Sequence, residues 1–471
     1  RYLRPWPSWV LGAGSSVAVN KAGTATWTFS NSNTYGGGTA VSGGKLIASG
    51  SGALGSGAVS VSSRSTLVAM RGDALGTGGL TLASYGILEL AHDGTAETPN
   101  PITVGNGNNG TLLAGVASGD AAVNHRIGNI LISLSTLTVS RASSVLSGTP
   151  TVTAKSVLLS GGGAYTSTLL PVDAVLVVDG PSYVSANAFS KTLRLDGTSA
   201  GNRINGPITN GIAGSTVSLS KGNSSEWTLA GTSEYSGSTT VSGGTLVLAG
   251  QYNGIGATTV NTNALLVVTG QHNGTGAVAV AGGALLLAGP AGAVTASGVI
   301  TVSLNGVLTL TNSAASASST RVGDAVPVAL AGGRMNFAHP ADGSSYSESA
   351  GTLAVTAGSN TVTASRAAEG QTSTLMFSSL SRSAGTVDFA GEGLGTDARN
   401  QIRFTTPPAL ANAVIGPWAT VNGSGLAGYD DALGVVLFTA YTNIFALGPS
   451  TLYDNAAQNA SISAVGTGGG I

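Results

Sequence analysis

Between Trp227 and Gly289 the chain repeats itself, and that period constrains the fold more than any other feature. Short apolar alternations recur in pairs: Thr239-Thr240-Val241 with Leu246-Val247-Leu248, then Thr258-Thr259-Val260 with Leu265-Leu266-Val267, then Ala277 to Val280 with Leu285-Leu286-Leu287. The corners repeat too, because Gln251-Tyr252-Asn253-Gly254 returns as Gln271-His272-Asn273-Gly274, a spacing of 20 residues. A unit of this size with such short strands cannot bury an apolar face alone, so it must stack on its neighbours and share a core with them. Like strands then pair in parallel, and the corners fall into columns where Gly and Asn supply the unusual backbone angles that a tight bend needs. The expected fold is all-β, a right-handed parallel β-helix of roughly 20-residue coils, its hand following from the preference of parallel crossovers.

Composition fits that expectation. Of 471 residues 72 are Gly, only 8% are charged and 5% are aromatic, so Val, Leu, Ile and Ala must fill the interior. The net charge is −1 and no basic run occurs, which argues against nucleic acid and anionic membrane surfaces as partners. No apolar stretch reaches the roughly 18 to 20 residues of a membrane helix, so no membrane insertion is expected. Cys is absent, which is compatible with a life outside the cytoplasm. The chain begins at Arg1 and shows no leader, from which we expect that a leader has been removed.

The chain is also internally duplicated. The block from Lys21 to Gly50 aligns without gaps to Lys221 to Gly250, with 12 of 30 positions identical, among them Trp27/Trp227 and Tyr35/Tyr235. These four aromatics are expected to pack at coil junctions and mark the repeat. Four segments follow: 1–12 as an aromatic arm or cap, 13–220 and 221–403 as two solenoid halves, and 404–471 as aromatic-rich coils and tail. Pro5 and Pro7 keep the first segment out of a central ladder.

The motif W-T-L-x-G-x-N-x-Y-x-G-x-T-x-V-x-x-G-x-L is matched at most positions by 227–246 and nearly as well by 27–46. On it the chain resembles the bacterial autotransporter-associated β-strand repeat proteins, as do Leu193 to Gly197, Leu380 to Gly385 and Gly416 to Asn422. Similar segments occur in large secreted proteins of Verrucomicrobia and Planctomycetes. The resemblance implies a passenger-type β-solenoid, also right-handed, at the surface of a Gram-negative bacterium; it implies no particular activity.

Candidate chemistry is sparse. A glycosidase needs two carboxyl groups roughly 5 to 10 Å apart, yet Glu89, Asp179 and Asp196 have no evident stacked partner, and Asp430-Asp431 reads as corner-capping. Gly105 to Gly110 fits a dinucleotide-binding pattern by letter, but no helix is expected after it. Gly197 to Gly201 fits a nucleophile elbow only by letter, so Ser199 is expected to be inert. His92, His125, His272 and His339 lie in unrelated phases, no metal site is expected, and no cofactor is expected. The reading is a non-enzymatic structural or surface protein, with an adhesin or glycan-binding rod as the alternative and a polysaccharide-cleaving enzyme behind both. Aromatics concentrate near the two ends, so head-to-tail self-assembly is expected, with Tyr2, Trp6 and Trp9 docking on Trp418, Phe438, Tyr441, Phe445 and Tyr453 of a neighbour.

Overall fold

The computed structural model describes residues 16–443, apart from 95, 106, 120 and 367, together with 460–461. The chain divides into two compact units, the first of residues 1–279 with 283–285, the second of 280–282 with 286–471. Both copies of the repeated block lie in the first. Every element among the described residues is a strand, and no helix is long and apolar enough to cross a membrane.

The first unit is a parallel β-solenoid, as the 20-residue period requires. One sheet of nine strands runs from Val19–Lys21 through Thr39–Val41 and Ile130–Ile132 to Ile208–Gly211. A second contains Thr26–Phe29, Lys45–Ala48, Thr136–Arg141, Ser190–Leu195, Thr216–Lys221 and Thr239–Val241. A third contains Asn124–Ile127, Asn202–Ile204, Glu226–Leu229 and Gly244–Leu248. Pairing is parallel and, apart from a shift between Ser182 and Val184, in register, so that Leu46 lies beside Leu67 and Leu67 beside Leu88, all three buried. Each inward Val or Leu removed from water this way contributes about 1.5 to 3 kcal/mol.

Coil length is less uniform than the period near Gln251 suggests. Val19 faces Thr39, an advance of 20 residues, whereas Ile102 faces Ile130, an advance of 28. Coils near Val19 give strands to two sheets, while those near Gln251 stay as short with a third strand of only two residues, Gln251–Tyr252 or Gln271–His272. The long ones add a longer third strand, as Ile130–Ile132, Thr136–Arg141 and Thr151–Ala154 do within one turn.

The second unit is built likewise. Ile300–Ser303, Val328–Ala331, Leu353–Ala357 and Leu380–Arg382 pair in one sheet; Val307–Thr311, Arg334–Ala338, Ser359–Ala364, Thr386–Ala390 and Ala419–Val421 in another. Tyr346–Ala350, Ser373–Phe377 and Asn400–Phe404 form the third. At its C-terminal side the parallel rule ends. Ala419–Val421 turns at Asn422-Gly423, both with positive φ (51° and 61°), and pairs antiparallel with Gly425–Asp430, which pairs antiparallel with Gly434–Leu437. Asn-Gly is the residue pair that such turns favour. This meander closes the unit: the Tyr429 hydroxyl accepts from Phe404 N and donates to Phe404 O, both at 3.0 Å, while Gln401 donates to Ala432 O at 2.8 Å. Backbone groups on the last parallel strand, which an open edge would leave exposed, are thereby paired within the chain.

Candidate functional site

The duplicated block forms a cassette with the same internal bonds in both copies. Tyr35 bonds Thr39 at 2.7 Å and Tyr235 bonds Thr239 at 2.6 Å, hydroxyl to hydroxyl, in the interior. Burial raises the pKa of both tyrosines. The lysine that opens each copy is fully buried. Lys21 Nζ donates to Ala22 O (3.1 Å), Gly23 O (2.9 Å) and, one coil on, Gly43 O (2.8 Å). Lys221 Nζ donates to Gly222 O, Asn223 O (3.4 Å) and Gly243 O (3.1 Å). Each ammonium therefore clamps its own turn to the stacked turn of the next coil, satisfying carbonyls that would otherwise be desolvated without a donor. Desolvation lowers the Lys221 pKa to about 8. The bend beside it needs glycine: Gly244 has φ +61°, and a Cβ there would lie 2.4 Å from Ser225 O and 2.8 Å from Lys221 Nζ.

The tryptophans behave differently. Trp227 is 0% exposed and its indole N–H donates to Asp196 O at 2.9 Å, so it packs inside. Trp27 is 38% exposed, with the Lys21 ammonium 5.5 Å from its ring centre. Thr26–Phe29 is the first described strand of its sheet and pairs with Lys45–Ala48, whereas Trp227 lies between Asn202 and Leu246.

The two copies also occupy different faces. Val19–Lys21 and Thr26–Phe29 belong to the first and second sheets, Thr216–Lys221 and Glu226–Leu229 to the second and third. The nine strands of the first sheet count eight coils from Val19 to Ile208, and the next strand belongs to the second sheet, so the cassette recurs after eight coils and one further face.

The histidines correct the sequence reading. His92 and His125, expected in unrelated phases, meet edge to face with ring centres 4.6 Å apart, because the chain lengthens its coils between them. His272 meets Tyr252 edge to face (4.9 Å), and Tyr252 packs tilted against Tyr235 (5.0 Å), continuing the cassette's aromatic corner. His339 bonds Ser373 at 3.1 Å, but both are buried. Burial lowers the pKa of His92, and takes His125, His272 and His339 down to about 4.

The other candidates fall at corners, except Glu89, which lies within the strand Ile87–Leu90. Glu89 pairs with Lys45 (3.6 Å), Asp179 with Arg126 (3.7 Å) and Asp196 with Arg194 (2.7 Å). Asp430 caps a turn through Ala432 N (2.8 Å) and Leu433 N (2.9 Å). In the Gly105 to Gly110 stretch the Asn108 amide donates to Gly105 O at 2.9 Å, and Gly110 already opens the strand Gly110–Ala114. The Ser199 hydroxyl donates to Pro171 O at 3.2 Å, with no helix after it. Among the described residues no group of three or more His, Cys, Asp or Glu could hold a metal ion. Of the proposed assembly residues, Tyr2, Trp6, Trp9, Phe445 and Tyr453 lie outside the described residues. Arg382 covers the Trp418 ring at 5.1 Å, and Phe438 meets Tyr441 edge to face at 4.9 Å.

No curated protein and no solved structure matches the chain. Residues 19–48 and 219–248 match the passenger-associated-transport-repeat, the same two segments that carry the Lys-Trp-Tyr cassette. The chain is thus a parallel β-solenoid bearing two passenger-associated-transport repeats, consistent with the passenger β-solenoids of autotransporters.

Proposed function

We propose that the chain is a structural passenger segment, exported to the cell exterior, whose work is to persist there as a folded solenoid. The observation that carries the reading is the cassette itself: two matched copies of a passenger-associated repeat in which a buried lysine ties the turn of one coil to that of the next. Each added coil pairs with the one before it, so folding can propagate from a formed template during export, coil by coil. The repeat family points to a secreted or cell-surface protein. To test this, the chain is placed between a secretion signal and an autotransporter translocator barrel, and intact cells are treated with protease. Surface display with slow, end-limited cleavage supports the reading; a chain degraded in the periplasm refutes it.

Self-association is the finer part of the proposal. The N-terminal aromatics Tyr2, Trp6 and Trp9 would dock on the Trp418 and Tyr441 side of a neighbour, through side chains, since the Asn400–Phe404 edge is already covered by its own meander. Heterologous contacts of this kind make open polymers. Deleting residues 1–12 should abolish fibres in negative-stain micrographs, and unchanged fibres would remove the arm from the account.

A further inference from the structure

One corner of the first unit is unlike the others. The bends that join its first sheet to its second hold, in chain order, Arg64, Tyr85, Leu134, Phe189 and Ile212, and the last four are all exposed apolar side chains. Three of these positions carry left-handed backbone without glycine or asparagine: Arg64 at φ 58°, Tyr85 at 65° and Leu134 at 49°. Bulky side chains are disfavoured there, and such strain concentrates where a surface makes contacts. Elsewhere along this corner the same requirement is met cheaply by Gly107, Asn187 and Gly214.

The corner is also one-signed. The bends from 62 to 215 and the strands of the first sheet contain no Asp or Glu, and in the adjoining second-sheet strands between Thr66 and Lys221 Glu89 is the sole acid and is paired with Lys45. Its cations sit on aromatic rings instead: Arg64 lies 5.2 Å from the Tyr85 ring centre, and Lys191 lies 4.6 Å from Tyr165 and 5.8 Å from Phe189. Lys191 also holds Gly161 O at 2.8 Å and Gly163 O at 3.0 Å, which fixes its charge just behind the bend. Here an open cavity of about 420 Å³ crosses four coils, lined by Leu134, Tyr165, Thr166, Lys191, Thr192 and Ser218 among others. Thr166, Thr192 and Ser218 are register partners on successive strands, so the cavity presents one hydroxyl per coil, about 4.8 Å apart.

We propose that this corner binds a linear, carboxylate-bearing polysaccharide lying across the coils. A row of hydroxyls repeating at about the length of one sugar residue matches a chain with one set of polar groups per residue. The exposed rings and Leu134 offer apolar faces for pyranose rings, and the exposed Arg64, with the buried Lys191 ammonium behind the cavity wall and no unpaired acid near either, makes a positive potential that selects a carboxylate over a neutral or cationic chain. The inference goes beyond the passenger reading, whose test is export and protease resistance, so either can fail without the other.

The experiment is titration of the full chain with polygalacturonate oligomers, with the fully methyl-esterified form as the uncharged control, in the unchanged protein and in Y85N/L134N. Asn tolerates the left-handed region, so this double variant should melt at the same or a higher temperature, which separates binding from folding. We expect affinity for the acid form that falls at least tenfold in the double variant and about as much on esterification, and that weakens with salt. Undiminished binding by Y85N/L134N, equal affinity for the ester, or no binding of the acid form would each overturn the proposal.

Discussion

At the residue scale the lesson is how differently one residue type fares at equivalent positions. Trp227 is fully buried and Trp27 is 38% exposed, so Trp227→Ala should cost about 3 to 5 kcal/mol and Trp27→Ala clearly less, read as the difference in urea midpoint at constant slope. Equal losses would contradict the burial described. The histidines set the pH response. The pKa of His272 is about 4 when folded, against about 6.5 in the unfolded chain. Between those values the unfolded state binds more protons, so stability is whole above pH 6.5 and falls as pH drops through 4. The loss is on the order of 3 kcal/mol for a shift of this size. His272→Gln should flatten the acid limb of the first unit's stability curve, and an unchanged limb would refute the assignment. Glu348 acts with the opposite sign in the second unit. Burial raises its pKa to about 8, and its Oε2 has no hydrogen-bond partner, so its contribution is lost as pH climbs from about 4.5 through 8.

The elements were legible in the sequence to the extent that their pattern was apolar. Alternation gave the strands, and the Gln251/Gln271 corners gave parallel stacking, because both signals are local and repeat. Lys21 and Lys221 were not legible as interior residues. A lysine is ordinarily read as outward-facing, and only the position of Gly43 O and Gly243 O one coil away reveals a partner for its charge. The rotation of the cassette by one face was hidden for a related reason: it depends on coil lengths between the copies, which drift from 20 residues at Val19 to 28 at Ile102. The terminal meander did have a signal in Asn422-Gly423, but Asn422 also ends a segment that resembles the repeat family, and that resemblance suggests no hairpin. Its hydroxyl clasp yields a sharp test. Tyr429→Phe leaves Phe404 N and O without their partner, a loss of about 1 to 3 kcal/mol, and the Phe404 amide should exchange with deuterium markedly faster. Unaltered protection would show that the meander does not close the edge.

At the scale of the molecule, each unit draws its stability from contacts between coils and not from a closed globular core, which is why a chain with 8% charged and 5% aromatic residues suffices. The same architecture displays long columns of side chains at fixed spacing, and the corner from Arg64 to Ile212 is one such column put to a proposed use. Everything rests on the coils being stacked in register. Thr136, Thr168, Arg194, Ser220, Thr240 and Thr259 are successive register partners on the outer surface of the second sheet, five coil steps in all. Spin labels at Thr136 and Thr259, more than a hundred residues apart in sequence, should therefore lie about 24 Å apart at 4.8 Å per step. A narrow dipolar distribution near that distance, allowing for the label arms, is the predicted result; a broad one, or one centred well beyond 35 Å, would contradict the stacked solenoid.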